Sequence, residues 1–207
     1  MRFIVITPEV FLAGESDAVN LLFENGLETL HLRKPGASLD ETKNFIMCID
    51  KVYHQKIVLH DNYRLVEEFH LKGIHLNRRN EDITAYVSAM REKHYSISRS
   101  CHSFDDVVAS RDCDYVFLSP IFDSVSKAGY NQGFTSEQLD DARCSGIINQ
   151  KVMALGGMTP ENIPLVRQYG FGGVVVLGAL WSNFTGNGEA DELLRRFNEL
   201  ARMSRKP

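Results

Sequence analysis

The sequence predicts an α/β protein built as a single (β/α)8 barrel of the TIM type, with residues 1–207 in one domain. Three observations lead to that class. Short β-rich runs alternate with amphipathic helical stretches along the whole chain, the arrangement that builds a parallel sheet covered by helices. The last run, Val174-Val175-Val176-Leu177, is apolar throughout, as a parallel strand covered on both faces should be. The Gly-x-Gly-x-x-Gly turn that would favour a doubly wound dinucleotide-binding sheet is absent.

Each element has its own signal. The first strand is placed at Arg2–Ile6 and the second at Glu28–Leu32. A helix over Leu39–Val52 follows, because Ser38 and Glu41 have capping-box spacing and Phe45, Ile46, Ile49 and Val52 recur near one face. Strands three to five are read at Lys56–Leu59, Gly73–Leu76 and Tyr95–Ser98. Ser103, followed by Asp105 and Asp106, starts the next helix. After a sixth strand at Asp114–Leu118 comes the longest loop, Ser119–Phe134, of a length that usually carries function. Thr135 and Gln138 form a second capping box. Strand seven is Lys151–Leu155, and Thr159-Pro160-Glu161 places proline at the first position of a helix. Strand eight is Gly173–Leu177, with Trp181 beyond it read as a packing residue. The chain closes on an amphipathic helix over Asp191–Met203 that aligns Leu194, Phe197, Leu200 and Ala201.

Composition narrows the function. Lys and Arg number 23 against 27 Asp and Glu, a formal net charge of −4, and there is no basic run, so a nucleic-acid surface is not expected. With 43% apolar and 24% charged residues the chain is ordinary globular protein, long enough to bury a core without disulfides. Cys48, Cys101, Cys113 and Cys144 lack Cys-x-x-Cys spacing and read as reduced thiols. No stretch approaches the roughly 20 apolar residues of a membrane span, and no secretory pattern appears. The cytoplasm is the expected compartment, and a homo-oligomer is compatible with the sequence.

In a barrel of this kind the carboxyl ends of the strands converge on one mouth, where active sites sit. Four histidines fall at four consecutive ends: His31, His60, His75 and His102. A metal hydrolase would also want a histidine pair after strand one, where Thr7-Pro8-Glu9 stands instead. Gly156-Gly157 and Gly178, at the last two ends, suit a phosphate cup made of backbone N–H groups, although a tight turn explains two glycines about as well. Arg33, Lys34 and Lys127 could face a second anion such as a diphosphate. Asp61 is placed to hold Mg2+ alongside substrate phosphates, or to cap a helix starting near Asn62.

These residues carry a resemblance. His31-Leu32-Arg33-Lys34, Gly73-Ile74-His75-Leu76, Ser100-Cys101-His102-Ser103, the run from Ser119 to Lys127 and Ala154-Leu155-Gly156-Gly157-Met158-Thr159-Pro160 stand in the order and spacing of one superfamily. It is that of thiamine phosphate synthases and TenI-type thiazole tautomerases, and the chain resembles it over nearly its whole length. The resemblance implies a site that joins an aminopyrimidine diphosphate to a thiazole phosphate and releases diphosphate, with Mg2+. By motif position it places His31, Arg33, Lys34 and Lys127 near the diphosphate and Ser100 near the pyrimidine amine. It places Ser124, Ser126, Gly157 and the Leu177-Gly178 amides around the thiazole phosphate, and gives Asp61 to Mg2+.

The chain departs from the synthase pattern at several positions. His31 stands for a Gln and His60 for an Asn. Pro35 occupies the place of a Lys, with Lys34 one position early. Asn80 replaces a second Mg2+ carboxylate, with Asp82 nearby, and Gly178 replaces a Ser. Some of these features resemble the tautomerase branch, in which His102 would be the acid/base. Synthase is the leading expectation, because Arg33, Asp61, Lys127 and the Ser-x-Ser pair remain. A thiazole tautomerase is the second reading. A non-catalytic protein that binds thiamine phosphate is the third, and comes from a different class.

Overall fold

The computed structural model describes residues 1–77, 84–123, 133–186 and 188–205. Eight parallel strands close into a barrel in sequence order. They are β1 (Arg2–Ile6), β2 (Thr29–Leu32), β3 (Ile57–Leu59), β4 (Gly73–Leu76), β5 (Ser96–Cys101), β6 (Tyr115–Leu118), β7 (Val152–Leu155) and β8 (Gly173–Val176). β8 closes on β1 with Phe3 opposite Val174 and Val5 opposite Val176. Around it run α1 (Glu15–Glu24), α2 (Leu39–Met47), α3 (Leu65–Glu68), α4 (Thr84–Glu92), α5 (Phe104–Ala109), α6 (Ser136–Cys144), α7 (Ile163–Gln168), α8 (Gly178–Trp181) and α9 (Ala190–Arg205).

Because side chains alternate along a strand, each strand feeds two cores. Phe3, Val5, Val116, Leu118, Val174 and Val176 face outward and join the helices in the larger one. Ile4, Ile6, Tyr115, Phe117, Met153 and Val175 fill one side of the barrel interior. α9 buries Leu193, Phe197, Leu200 and Ala201, with Phe197 edge-on to Phe3 at 5.6 Å. Trp181 packs beneath the barrel rim as expected, and its indole N–H donates to the Ile6 carbonyl at 2.9 Å. Among the described residues no helix is long and apolar enough to cross a membrane, and the four cysteines are unpaired thiols.

Both expected capping boxes form. Ser38 Oγ accepts from the Glu41 N–H at 3.2 Å while Glu41 accepts from the Ser38 N–H at 2.8 Å, and Thr135 and Gln138 do the same. Ser103 and Asp106 make a third. Each such cap stabilises its helix by about 1 kcal/mol.

Most boundaries agree within one or two residues, and three differ by more. α2 stops at Met47, and a 3-10 turn over Lys51–Lys56 leads into β3, so Val52 is exposed rather than on the buried face. α7 begins at Ile163, not at Pro160, because Asn162 organises the turn: it accepts from the Thr159 N–H and donates to the Gly157 carbonyl. β5 runs on to Cys101 instead of ending at Ser98. That extension keeps Ser98 and Ser100 on one strand face and puts His102 immediately past the strand.

Candidate active site

The half of the barrel interior left open by the apolar set is polar. His31 on β2, His60 just past β3 and His75 on β4 lie together with Ser98 and Ser100 on β5 and Tyr115 on β6. His31 Nδ1 lies 2.9 Å from His60 Nε2, and its Nε2 lies 2.7 Å from the Tyr115 hydroxyl. His75 is bracketed by Ser98 and Ser100, each at 2.8 Å. The His60 and His75 rings stack at 4.2 Å. Burial holds His31 well below the usual histidine range. It takes His75 down to about 3, with the cations of Arg33 and Arg99 adding to the effect. The His31 and His75 imidazoles are neutral at physiological pH.

This corrects two expectations at the end of β2. His31 is fully buried, with Nε2 against the Tyr115 hydroxyl and Nδ1 against His60, so it lies beneath the mouth and does not face a diphosphate. Lys34 is 3% exposed, and its ammonium donates to both Glu15 carboxylate oxygens, at 2.6 and 2.7 Å, and to the Val10 carbonyl. It packs under Phe11 and Phe45. Its charge is spent inside the protein and does not face a diphosphate. Burial pushes Glu15 up and Lys34 down, and their mutual hydrogen bonds work against both shifts. No local sequence signal identifies Glu15 as the partner, since the pairing spans two loops.

Arg33 does reach the mouth. Thr7 holds its backbone from both sides, accepting from the Arg33 N–H at 2.9 Å and donating to its carbonyl at 3.2 Å. The guanidinium meets Glu9 at 3.0 Å, a partly exposed pair of the kind worth about 0–1 kcal/mol, so a bound phosphate can replace the partner. Asp61 follows His60 at the end of β3 and is half-buried. It is an oxygen donor of the hard type that Mg2+ takes. Ser100 sits at the same end of β5, half-buried against His75.

His102, one residue further, is exposed. Its Nδ1 lies 3.1 Å from the Ser119 carbonyl, which can only accept, so Nδ1 carries the proton and Nε2 is left as the basic nitrogen.

The rim after β7 is glycine for a packing reason. Gly157 has φ +61, and a Cβ there would come 2.3 Å from the Asp123 carbonyl; at Gly156, φ +102, it would meet Pro120. The turn therefore presses against the segment that follows β6. Leu177 and Gly178 form the entry to α8 after β8, both half-buried. Asn80, Lys127, Ser124 and Ser126 lie outside the described residues. A hollow of about 830 Å³ opens at the opposite, amino-terminal end of the barrel between Arg2, Lys72, Asp112 and Asp114. It lies away from the strand ends that carry the chemistry, and its charges are of both signs. Sequence reasoning missed Ser98 and Tyr115; their inward strand positions could have marked them, but only the barrel brings them to the histidines.

Comparison with known proteins gives a consistent result. Residues 3–180 match the family model for thiamine monophosphate synthase. The thiamine-phosphate synthase of Phocaeicola vulgatus is 24% identical over 174 residues, 79% of this chain and 82% of that one. A crystal structure of thiamine phosphate pyrophosphorylase from Bacteroides thetaiotaomicron superposes with a TM-score of 0.81 at 37% identity, covering 98% of this chain and 97% of that one. A thiamine phosphate pyrophosphorylase from Pyrococcus furiosus shares the fold at TM-score 0.71 and 20% identity, covering 96% of each chain. With its barrel, its strand-end residues and a match over most of its length, the chain belongs to the thiamine monophosphate synthase family.

Proposed function

We propose that this protein is a thiamine phosphate synthase, a transferase that joins an aminopyrimidine diphosphate to a thiazole phosphate and releases diphosphate. One observation carries the reading: in a chain of this family, Arg33, Asp61, Ser100 and the two glycine rims stand at the ends of β2, β3, β5, β7 and β8, around one mouth.

The chemistry follows from what these groups can do. Arg33, steadied by Thr7, exchanges Glu9 for the departing diphosphate and stabilises the charge that develops on it. Asp61 would hold Mg2+, with substrate oxygens completing the shell, and the ion would supply further charge neutralisation at the leaving group. Ser100, hydrogen-bonded to His75, offers a hydroxyl that would meet the pyrimidine amine. The N–H groups at Gly157 and at the start of α8 hold the thiazole phosphate so that its ring nitrogen meets the pyrimidine carbon as the diphosphate leaves. Unpaired thiols and small phosphorylated substrates suit the cytoplasm.

One observation favours a second activity, thiazole tautomerisation: His102 shows a defined basic Nε2 at the open end of the barrel. A single assay separates the readings. The protein is incubated with both substrates, with and without Mg2+, while diphosphate release and thiazole isomer exchange are followed. Mg2+-dependent diphosphate release that falls with Asp61→Ala supports the synthase. Isomer exchange without diphosphate release, lost in His102→Ala, replaces it with the tautomerase. Binding without turnover of either kind leaves a non-catalytic protein.

A further inference from the structure

We propose that His31, His60 and His75 form a binding site for a transition metal of the Zn2+ type, separate in donor chemistry from the Mg2+ of the proposed reaction. Three adjacent strands bring one ring nitrogen from each histidine within 4.8 Å of the others, and all three side chains are buried. The ring centres of His31 lie 5.1 Å from those of both His60 and His75. Two imidazoles on one tetrahedral zinc, with Zn–N near 2.0–2.1 Å, place their ring centres about 5 Å apart, so both His31 pairs already have ligand spacing, while the stacked His60 and His75 rings, at 4.2 Å, would have to part by about 1 Å.

Hydrogen bonds to neighbouring hydroxyls fix the ring orientations. Ser98 donates its hydroxyl to the Ile74 carbonyl at 3.2 Å, so it accepts from His75 Nδ1–H, and His75 Nε2 is left with a lone pair on the Ser100 side. This carbonyl–hydroxyl–imidazole chain is the outer support that fixes a metal-binding histidine. Tyr115 holds His31 Nε2, and the proton that His31 Nδ1 and His60 Nε2 share in their hydrogen bond must move to an outer ring nitrogen for both to ligate. Two adjustments are needed, a parting of the stacked His60 and His75 rings and a widening between His31 and His60. His31 and His60 nitrogens stand 2.9 Å apart, whereas two nitrogens on one zinc are about 3.3 Å apart, a change within reach of slight ring rotation. Nitrogen donors of this set suit Zn2+, Co2+ or Ni2+ and not Mg2+. Ser100, half-buried, bonds His75 Nε2 at 2.8 Å, and a metal on that nitrogen would take the place of this bond.

The competing explanation is a metal-free imidazole–hydroxyl network that merely satisfies buried polar groups. The test uses the full chain, stripped with a chelator and titrated with Zn2+ alone against a chromophoric competitor, then with Co2+ alone. The proposal expects one equivalent of Zn2+ bound with a dissociation constant below about 1 μM, and Co2+ bands typical of four-coordinate nitrogen and oxygen ligation. His31→Gln and His75→Gln each weaken binding by at least 100-fold, whereas Cys48→Ser and Cys144→Ser leave it unchanged. Tyr115→Phe, which removes only the support of His31, weakens it by about 10-fold and covers the case in which a histidine variant fails to fold. No saturable binding at 100 μM Zn2+, sulfur-to-Co2+ charge transfer, or affinity indifferent to these variants overturns the proposal. None of these readouts depends on synthase turnover.

Discussion

Replacing Glu15 with alanine tests the most buried ion pair among the described residues. The Lys34 and Glu15 side chains are 2% and 1% exposed, and two hydrogen bonds join them. Removing one member of such a pair strands the other charge in the interior, at a cost of about 3–5 kcal/mol. For a chain of this length each kcal/mol lowers Tm by about 2–4 °C, so Glu15→Ala should melt roughly 6–20 °C below the parent. Lys34→Met should cost less, because burial already raises the Glu15 pKa and the stranded carboxyl can take up a proton while still accepting from the Leu12 N–H at 2.9 Å. The double variant, which leaves no stranded charge, should cost less than the two singles added together. Calorimetry of the four proteins measures all of this. A Glu15→Ala protein melting within about 2 °C of the parent, or strictly additive costs, refutes the reasoning. The same pair ties the segment between β1 and α1 to the residue after Arg33, so loss of the pair should also raise KM for the pyrimidine diphosphate.

Arg33→Ala should lower kcat by about 100- to 1000-fold with the fold intact, the usual effect of removing one preorganised donor to developing charge; a change of a few-fold takes Arg33 out of the mechanism. Gly157→Ala should be destabilised by about 1–3 kcal/mol from its left-handed backbone alone, and more from the contact with the Asp123 carbonyl, which thermal melting and thiazole phosphate affinity will show. In native protein at pH 8, Cys48 and Cys144 are exposed and should react quickly with a thiol reagent. Cys101 and Cys113 should not react until denaturant is added, since they are buried and the Cys101 thiol is pushed up to about 11. Reactivity should therefore rise in two steps, and four fast thiols would contradict the packing.

The barrel itself was legible in the residues, because its determinants are local and periodic. Alternating strands, capping boxes at Ser38 and Thr135 and the apolar run ending at Leu177 each act over a few neighbours, and together they leave few topologies. Strand-end position likewise marked Arg33, Asp61 and Ser100 without knowledge of the contacts they make. What a side chain does once it arrives there was not legible. Lys34 and Arg33 are neighbours in sequence, yet one is sealed against Glu15 and the other faces the mouth, since the strand has ended and the chain turns between them. His31, His60 and His75 read as three separate strand-end residues, and only the pairing of β2, β3 and β4 shows that they share one buried volume. Local pattern decides which elements form. Charge pairing and side-chain convergence depend on residues tens of positions apart, so they exist only once the tertiary structure has brought those residues together.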